Sequence, residues 1–259
     1  MLKEKIRNEI ERFVQASMEE GRFATNWGKP PVAFAAAGDP LFVELKKAVS
    51  DSHALPVDLL PGARTVIAYF LPFERSTGHG NLSGFLASRS WAQAYVDTNV
   101  LIGKLGSHLE GFLRVRGHGA FAPPATHNFD SHRLISDWSH RHVAFIAGLG
   151  RFGVNRMLIT EKGCCGRIGS LVTSLPLAPD PRPVGEFCLY RHDGSCLECV
   201  KHCRVEALSV EDYDRRKCYG VCLQNEEEYR EMGKADVCGK CLTEVPCSWV
   251  NPAAHSTRE

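Results

Sequence analysis

No cysteine precedes Cys164 in this 259-residue chain, and neither sign of charge dominates, the formal net charge being +1. Without a basic surplus there is no bulk grip on a polyanion, which argues against a nucleic-acid partner. Long apolar runs are also missing. No segment approaches the roughly 20 apolar residues that span a bilayer, so no membrane association is expected. The N-terminus opens on Met1-Leu2-Lys3-Glu4-Lys5 and lacks the uninterrupted apolar stretch of a secretory leader, so the chain reads as cytoplasmic. Hydrophobic residues at 44% and charged residues at 24% are ordinary for a globular protein.

Against those absences stands a surplus. The chain has 11 cysteines, nine of them between Cys188 and Cys247. In a reducing compartment clustered thiols bind metal or do redox work more often than they form disulfides. Cys196-Leu-Glu-Cys199-Val-Lys-His-Cys203 is a C-x2-C-x3-C run with Cys188 upstream; Cys218, the pair Cys238-Gly-Lys-Cys241 and Cys247 follow. A [4Fe–4S] cubane needs one thiolate at each of four irons, and in two-cluster ferredoxins the last cysteine of a run crosses to the other cluster. That logic assigns Cys188, Cys196, Cys199 and Cys247 to one cluster, and Cys203, Cys218, Cys238 and Cys241 to a second. Cys164, Cys165 and Cys222 are left over and read as packed thiols, although Cys164-Cys165 could face a cofactor. Two structural zinc sites are the competing assignment, since paired C-x2-C units also suit tetrahedral zinc. The triple run and the small residues Gly194, Ser195 and Gly239 beside sulfur favour the cubanes.

Residues 176–186 carry four prolines within eight positions, which sustain neither a helix nor a central strand. A domain boundary is placed there, giving units 1–178 and 179–259. In the first unit Leu2, Ile6, Ile10, Phe13 and Val14 have the spacing of an amphipathic helix. Pro31–Ala35, Thr65–Leu71 and Ile168–Leu175 have strand character. Leu41–Val49 reads as a helix with Asp39 as N-cap and Pro40 at its first position. Residues 88–115 read as one long helix or two short ones. Alternation of this kind predicts a layered α/β unit. The second unit has too few aliphatic residues for a core of its own, which is another reason to expect metal.

Ser139-His140-Arg141-His142-Val143-Ala144, then Ala147-Gly148-Leu149-Gly150-Arg151-Phe152-Gly153-Val154-Asn155 and Leu158-Ile159-Thr160, resembles the central motif of epoxyqueuosine reductases, relatives of the reductive dehalogenases. The cysteine runs resemble the double-cluster module of the same superfamily. Short, poorly characterised members share the pattern of Asp193-Gly194-Ser195-Cys196 and Val245-Pro246-Cys247. The resemblance implies a nitroreductase-like α/β (α+β) domain holding base-off cobalamin, followed by a ferredoxin-like domain whose clusters feed electrons to cobalt. It makes Tyr95, His142, Gly148, Leu149, Gly150, Gly153 and Asn155 the candidate cofactor-binding residues, the glycines by admitting a flat ring close to the backbone. The family's catalytic aspartate falls on Leu134 in this chain, which leaves Asp130 and Asp137 as nearby substitutes and His140 as an alternative proton donor. Val154 replaces the lysine that usually precedes the asparagine, and Arg204 replaces a proline after the fourth cysteine.

The leading expectation is thus a corrinoid-dependent reductase that takes electrons from an external low-potential donor and acts on a small molecule or on a corrinoid held elsewhere. The alternatives are a non-catalytic ferredoxin-like carrier or corrinoid-reducing partner and, behind it, tRNA modification.

Overall fold

The computed structural model describes residues 2–255. The first half runs α1 (Leu2–Glu19), β1 (Val32–Ala36), α2 (Leu41–Ala48), α3 (Pro56–Leu59), β2 (Thr65–Pro72), α4 (Arg75–Gly78) and α5 (Arg89–Arg114). Short strands β3 (Ala120–Phe121), β4 (Phe129–Asp130) and β5 (Ile135–Ser136) lead to α6 (His140–Ala147). The hairpin β6 (Gly150–Phe152) and β7 (Leu158–Thr160) follows, then β8 (Gly166–Thr173). The C-terminal third carries α7 (Leu189–Asp193), α8 (Glu198–Lys201) and α9 (Arg215–Glu228).

The main sheet has the order β1-β2-β8-β3, and every pairing in it is antiparallel. Its strands are long-range neighbours linked through helices, so the arrangement is α+β, without the parallel crossovers that alternating elements can also signal. All eight residues of β2 are buried, as a continuous apolar run requires when both faces of a strand are covered. Alternate side chains go to opposite sides. Ile67, Tyr69 and Leu71 meet Ile6, Ile10 and Val14 of α1 and Leu101, Leu105 and Leu109 of α5. Val66 and Ala68 meet Val143, Ala144 and Ala147 of α6, with Phe42 and Leu45 of α2 behind them.

Residues 88–115 resolve as one helix of 26 residues, started by the Ser88 hydroxyl accepting from Trp91 N–H. At α2 the Asp39 carboxylate accepts the Leu41 N–H at 3.0 Å, the expected cap. The proline-rich segment lies on the first layer: Asp180 pairs with Lys3 and Arg7, and Arg182 with Asp39. The cluster on the α1/α5 side of the sheet continues into the C-terminal third through Cys188, Cys199, Leu208, Leu242 and Val245.

Candidate functional site

Cys188, Cys196, Cys199 and Cys247 line one small pocket, together with Gly153, Val154, Asn155 and Pro246. Burial, then the charges of Cys247, Cys188 and Cys196, push the Cys199 thiol up to about 12. Cys203, Cys218 and Cys238 act together on Cys241, whose thiol is raised chiefly by burial. Cys199 also acts on Cys241, so the two groups of four adjoin. Cys247 thus lines the same pocket as Cys188, Cys196 and Cys199, and Cys203 is among the groups that act on Cys241.

Such crowding defines the chemistry of the donor set. Crowded thiolates do not ionise side by side without cations to offset them, and metal binding is a general way to release such protons. Among the described residues no three His, Cys, Asp or Glu side chains converge tightly enough to share a single ion. A tetrahedral zinc with bonds of about 2.3 Å would hold its sulfurs roughly 3.8 Å apart. Thiolates on separate irons spread wider. Sulfur acceptors are served by backbone donors: Ala207 N–H reaches Cys203 Sγ at 3.2 Å, and the N–H groups of Glu198 and Lys240 serve Cys196 and Cys238. Trp91 Nε1 is buried with no acceptor, and its ring lies where a side chain at Gly239 would stand, 2.2 Å from an added Cβ.

The three left-over cysteines differ from one another. Cys165 donates to Leu242 O at 3.1 Å and is structural. Cys222 donates to Cys218, whose thiol is lowered by that bond and by the Tyr213 hydroxyl. Cys164 lies 3.9 Å from Cys247 through their sulfurs, so it borders the first group instead of being merely packed. Asn155 amide Nδ2 sits 3.7 Å from Cys164 Sγ and 3.8 Å from Cys247 Sγ, while its Oδ1 accepts Met157 N–H. Asn155 therefore serves sulfur.

A much larger cleft, about 1900 Å³ with its open mouth, lies beside the cysteines. Gly153 lines both cavities. Tyr213, absent from the sequence expectations, lines the cleft and bonds to Cys218. His142 and Phe152 form part of its wall, their rings 4.8 Å apart. Burial, then Arg141 and His53, lowers His142 to about 4, so its imidazole is neutral near pH 7. Leu134, the position on which the family aspartate falls, also lines the cleft, with φ of 54°.

Other expected residues have structural occupations. Asp130 is exposed and turns the chain by accepting the N–H groups of His132 and Arg133; Asp137 accepts the Ser52 hydroxyl at 2.6 Å. Neither lines the cleft. His140 is buried, with Nε2–H donating to Pro124 O at 2.9 Å and Nδ1 accepting from Ser170 at 2.8 Å. Burial lowers it to about 4, so a neutral imidazole with both nitrogens engaged replaces the expected acid. Tyr95 donates to Asp236 at 2.7 Å and lies under the Arg167 guanidinium, outside the cleft wall. Leu149 is core, packed with Val143 and Ala147. Gly148 and Gly150 are needed by the chain itself: an added Cβ would stand 2.7 Å from Pro181 O and 1.9 Å from Ile159 O. Of the three glycines, only Gly153 borders a cavity described here.

No family model matches the chain. A tetrachloroethene reductive dehalogenase from Desulfitobacterium hafniense is 37% identical over 124 residues, 41% of this chain and 21% of that protein. An epoxyqueuosine reductase from Leadbetterella byssophila is 31% identical over 120 residues, 44% of this chain and 38% of that protein. The chain thus spans well under half the length of these curated relatives. Its fold aligns with epoxyqueuosine reductase crystallised with an epoxyqueuosine-modified tRNA-Tyr stem loop, at TM-score 0.61 and 20% identity over 95% of this chain and 65% of that one. A catabolic reductive dehalogenase aligns at TM-score 0.56 and 16% identity over 86% of this chain and 30% of that one. The chain thus shares part of its sequence with an epoxyqueuosine reductase and a reductive dehalogenase, and its fold with solved structures of both kinds.

Proposed function

We propose that the protein is an iron–sulfur reductase in which two [4Fe–4S] clusters pass electrons from an external low-potential donor into the large cleft. The observation that supports this reading is the convergence of Cys188, Cys196, Cys199 and Cys247 on one pocket, with Cys203, Cys218 and Cys238 beside Cys241. The division into units 1–178 and 179–259 belongs to the same reading: the first unit supplies most of the cleft, the second the electrons. Electrons would pass between the groups where Cys199 and Cys241 adjoin, and would reach the cleft beside Gly153 of the first group or Tyr213 of the second.

Cobalamin is the group that the superfamily implies for the cleft, and the residues present are compatible with it. The cleft has the size for a macrocycle, and His142, Phe152 and Gly153 would border it. When bound, it would supply a low-valent cobalt able to reduce a small molecule or to exchange electrons with another corrinoid. The chain's own contributions are different. Asn155 holds sulfur with its amide, Phe152 and Phe145 keep water from one wall, and His142, anchored through Nδ1 to the Ser139 hydroxyl at 2.7 Å, is the titratable group of the expected set that lines the cleft.

Leu134 supports a second reading. With leucine where the family places an acid, the cleft wall has no carboxylate at that point, which suits a carrier or corrinoid-reducing partner that makes no substrate C–H bond. Modification of tRNA, as in one structural relative, would require measurable affinity for a tRNA stem loop.

Iron, acid-labile sulfide and corrinoid analysis of anaerobically reconstituted protein, followed by EPR of the reduced form, tests the proposal. Two cubane signals are expected in the native chain. Cys247→Ser should remove one and leave the other, whereas Cys222→Ser should leave both. Mononuclear zinc with no iron uptake would end the redox reading.

A further inference from the structure

The large cleft has a charge that the whole chain does not have. The chain's net charge is +1, yet seven arginines line this one space against the four carboxylates of Glu186, Glu211, Asp212 and Asp214. Arg133 reaches Asp51 at 3.4 Å. The other six, Arg141, Arg151, Arg156, Arg191, Arg215 and Arg216, make no ion pair with a carboxylate among the described residues. Their recorded partners are carbonyls. Arg141 donates to Arg156 O at 2.7 Å, Arg151 to Pro183 O, Arg156 to Val210 O at 3.2 Å and Arg216 to His132 O at 3.2 Å. Carbonyls satisfy N–H groups but leave the positive charge unneutralised.

Two of these guanidiniums have further capacity. The Nε atoms of Arg151 and Arg156 are buried and have no acceptor. A buried donor without an acceptor costs about 1–3 kcal/mol, more when it is charged, so such atoms are normally filled by something. Arg141 is half-buried, and its guanidinium meets Arg156 O and Met157 Sδ instead of a carboxylate. The seven arginines outnumber the four carboxylates of the same cleft, and an anion would offset that surplus of positive charge. Asp214 also accepts the Arg216 and Lys217 N–H groups at the start of α9.

We infer that the cleft holds its ligand by a phosphate ester group, gripped by Arg151, Arg156 and the unpaired arginines around them, with the ligand's bulkier body against Leu134, Phe145 and Phe152. A phosphate offers several acceptor oxygens in the geometry that guanidinium forks match, and more negative charge than one carboxylate. The apolar residues on the same wall leave room for a body that is not charged. This deepens the reductase reading by naming the class of ligand that the same cleft selects. The phosphate could come from a corrinoid's nucleotide tail or from a phosphorylated substrate.

The test uses the reconstituted full chain and four probes: pyrophosphate, cobalamin, cobinamide (which lacks the phosphate-bearing tail) and an RNA hairpin. Calorimetry should show pyrophosphate binding that citrate does not match. Arg151→Gln with Arg156→Gln should weaken it by roughly tenfold or more, as losing charged hydrogen bonds implies. Arg215→Gln, at an exposed position that folding does not depend on, should weaken it less but measurably. Tighter retention of cobalamin than of cobinamide, lost in the double variant, would identify the nucleotide tail as the source. Pyrophosphate binding with neither corrinoid retained would keep the phosphate site and end the corrinoid assignment. Cobinamide held as tightly as cobalamin, with pyrophosphate inert, would keep the corrinoid and overturn the phosphate site. Citrate matching pyrophosphate, or only the RNA hairpin engaging these arginines, would overturn it as well.

Discussion

The two parts of this molecule are held together by different physics. Around the sheet, order comes from apolar contact: Ile67, Tyr69 and Leu71 disappear beneath α1 and α5, and Val66 and Ala68 beneath α6. Beyond residue 187 regular structure is sparse, most cysteines are only partly covered and few aliphatic side chains are buried. A segment of that composition cannot offset the conformational entropy of folding by burial alone and needs cross-links of another kind. If the proposed clusters are bound, stability should depend on water around the sheet and on iron beyond residue 187.

The sharpest way to break the comparison is to remove the metal. Chelation under reducing conditions is expected to expose residues 187–250 to protease while the sheet stays protected. The cleavage rate there should rise by on the order of 100-fold, as local unfolding of a metal-held unit implies. Equal protection of both parts would mean that the C-terminal third stands without metal. The converse experiment is Leu105→Ala, which truncates a fully buried side chain of α5. A loss of roughly 2–5 kcal/mol in urea unfolding is expected, with iron stoichiometry unchanged in the folded protein.

Acid should act on the sheet side of the molecule. His140, near 4 in the folded protein against 6.5 for an exposed histidine, is neutral in the native state and takes up a proton on unfolding. Between those values the unfolded chain binds more protons, so stability rises with pH through the window and falls as pH drops from 6.5 toward 4. The full effect is about 3 kcal/mol at the acid end of the window. His140→Gln, which can still reach Ser170 and Pro124, should flatten that slope in unfolding curves taken at several pH values; an unchanged slope would move its origin to His142 or His53, both also depressed by burial. The smallest effect is reserved for Trp91→Phe. It deletes the unpartnered indole N–H beside Gly239 and should lower the potential of the second cluster in a redox titration without changing iron content.

Much of this division could be read from the amino-acid order. The period of Leu2, Ile6, Ile10 and Val14 marks α1, and the unbroken apolar run of β2 marks a strand covered on both faces. Cysteine spacing suggests the two groups on which the proposed function rests, because a crossing pattern leaves its trace in the count. The antiparallel order does not show, since hydrophobic alternation carries no information on neighbours. Helix α9 escapes because only Val221 and Asn225 are buried in its 14 residues, so it has no apolar stripe. The arginine cleft is hidden for a different reason: its cations are scattered from Arg133 to Arg216 and only the fold gathers them. Gly148 and Gly150 mislead because backbone packing against Pro181 and Ile159 demands the same residue that a ligand would.

The turn Gly163-Cys164-Cys165 clamps the loop that carries Cys247. Cys164 N–H donates to Cys247 O and Ser248 O, Cys165 N–H donates to Ser248 O, and a Cβ at Gly163 would strike Ser248 O at 2.3 Å. That turn leads directly into β8, a central strand. On the two-cluster proposal, the fourth corner of the first cage would depend on a paired β8, and full-length protein whose β8 is kept from pairing should hold about half the iron of the native protein.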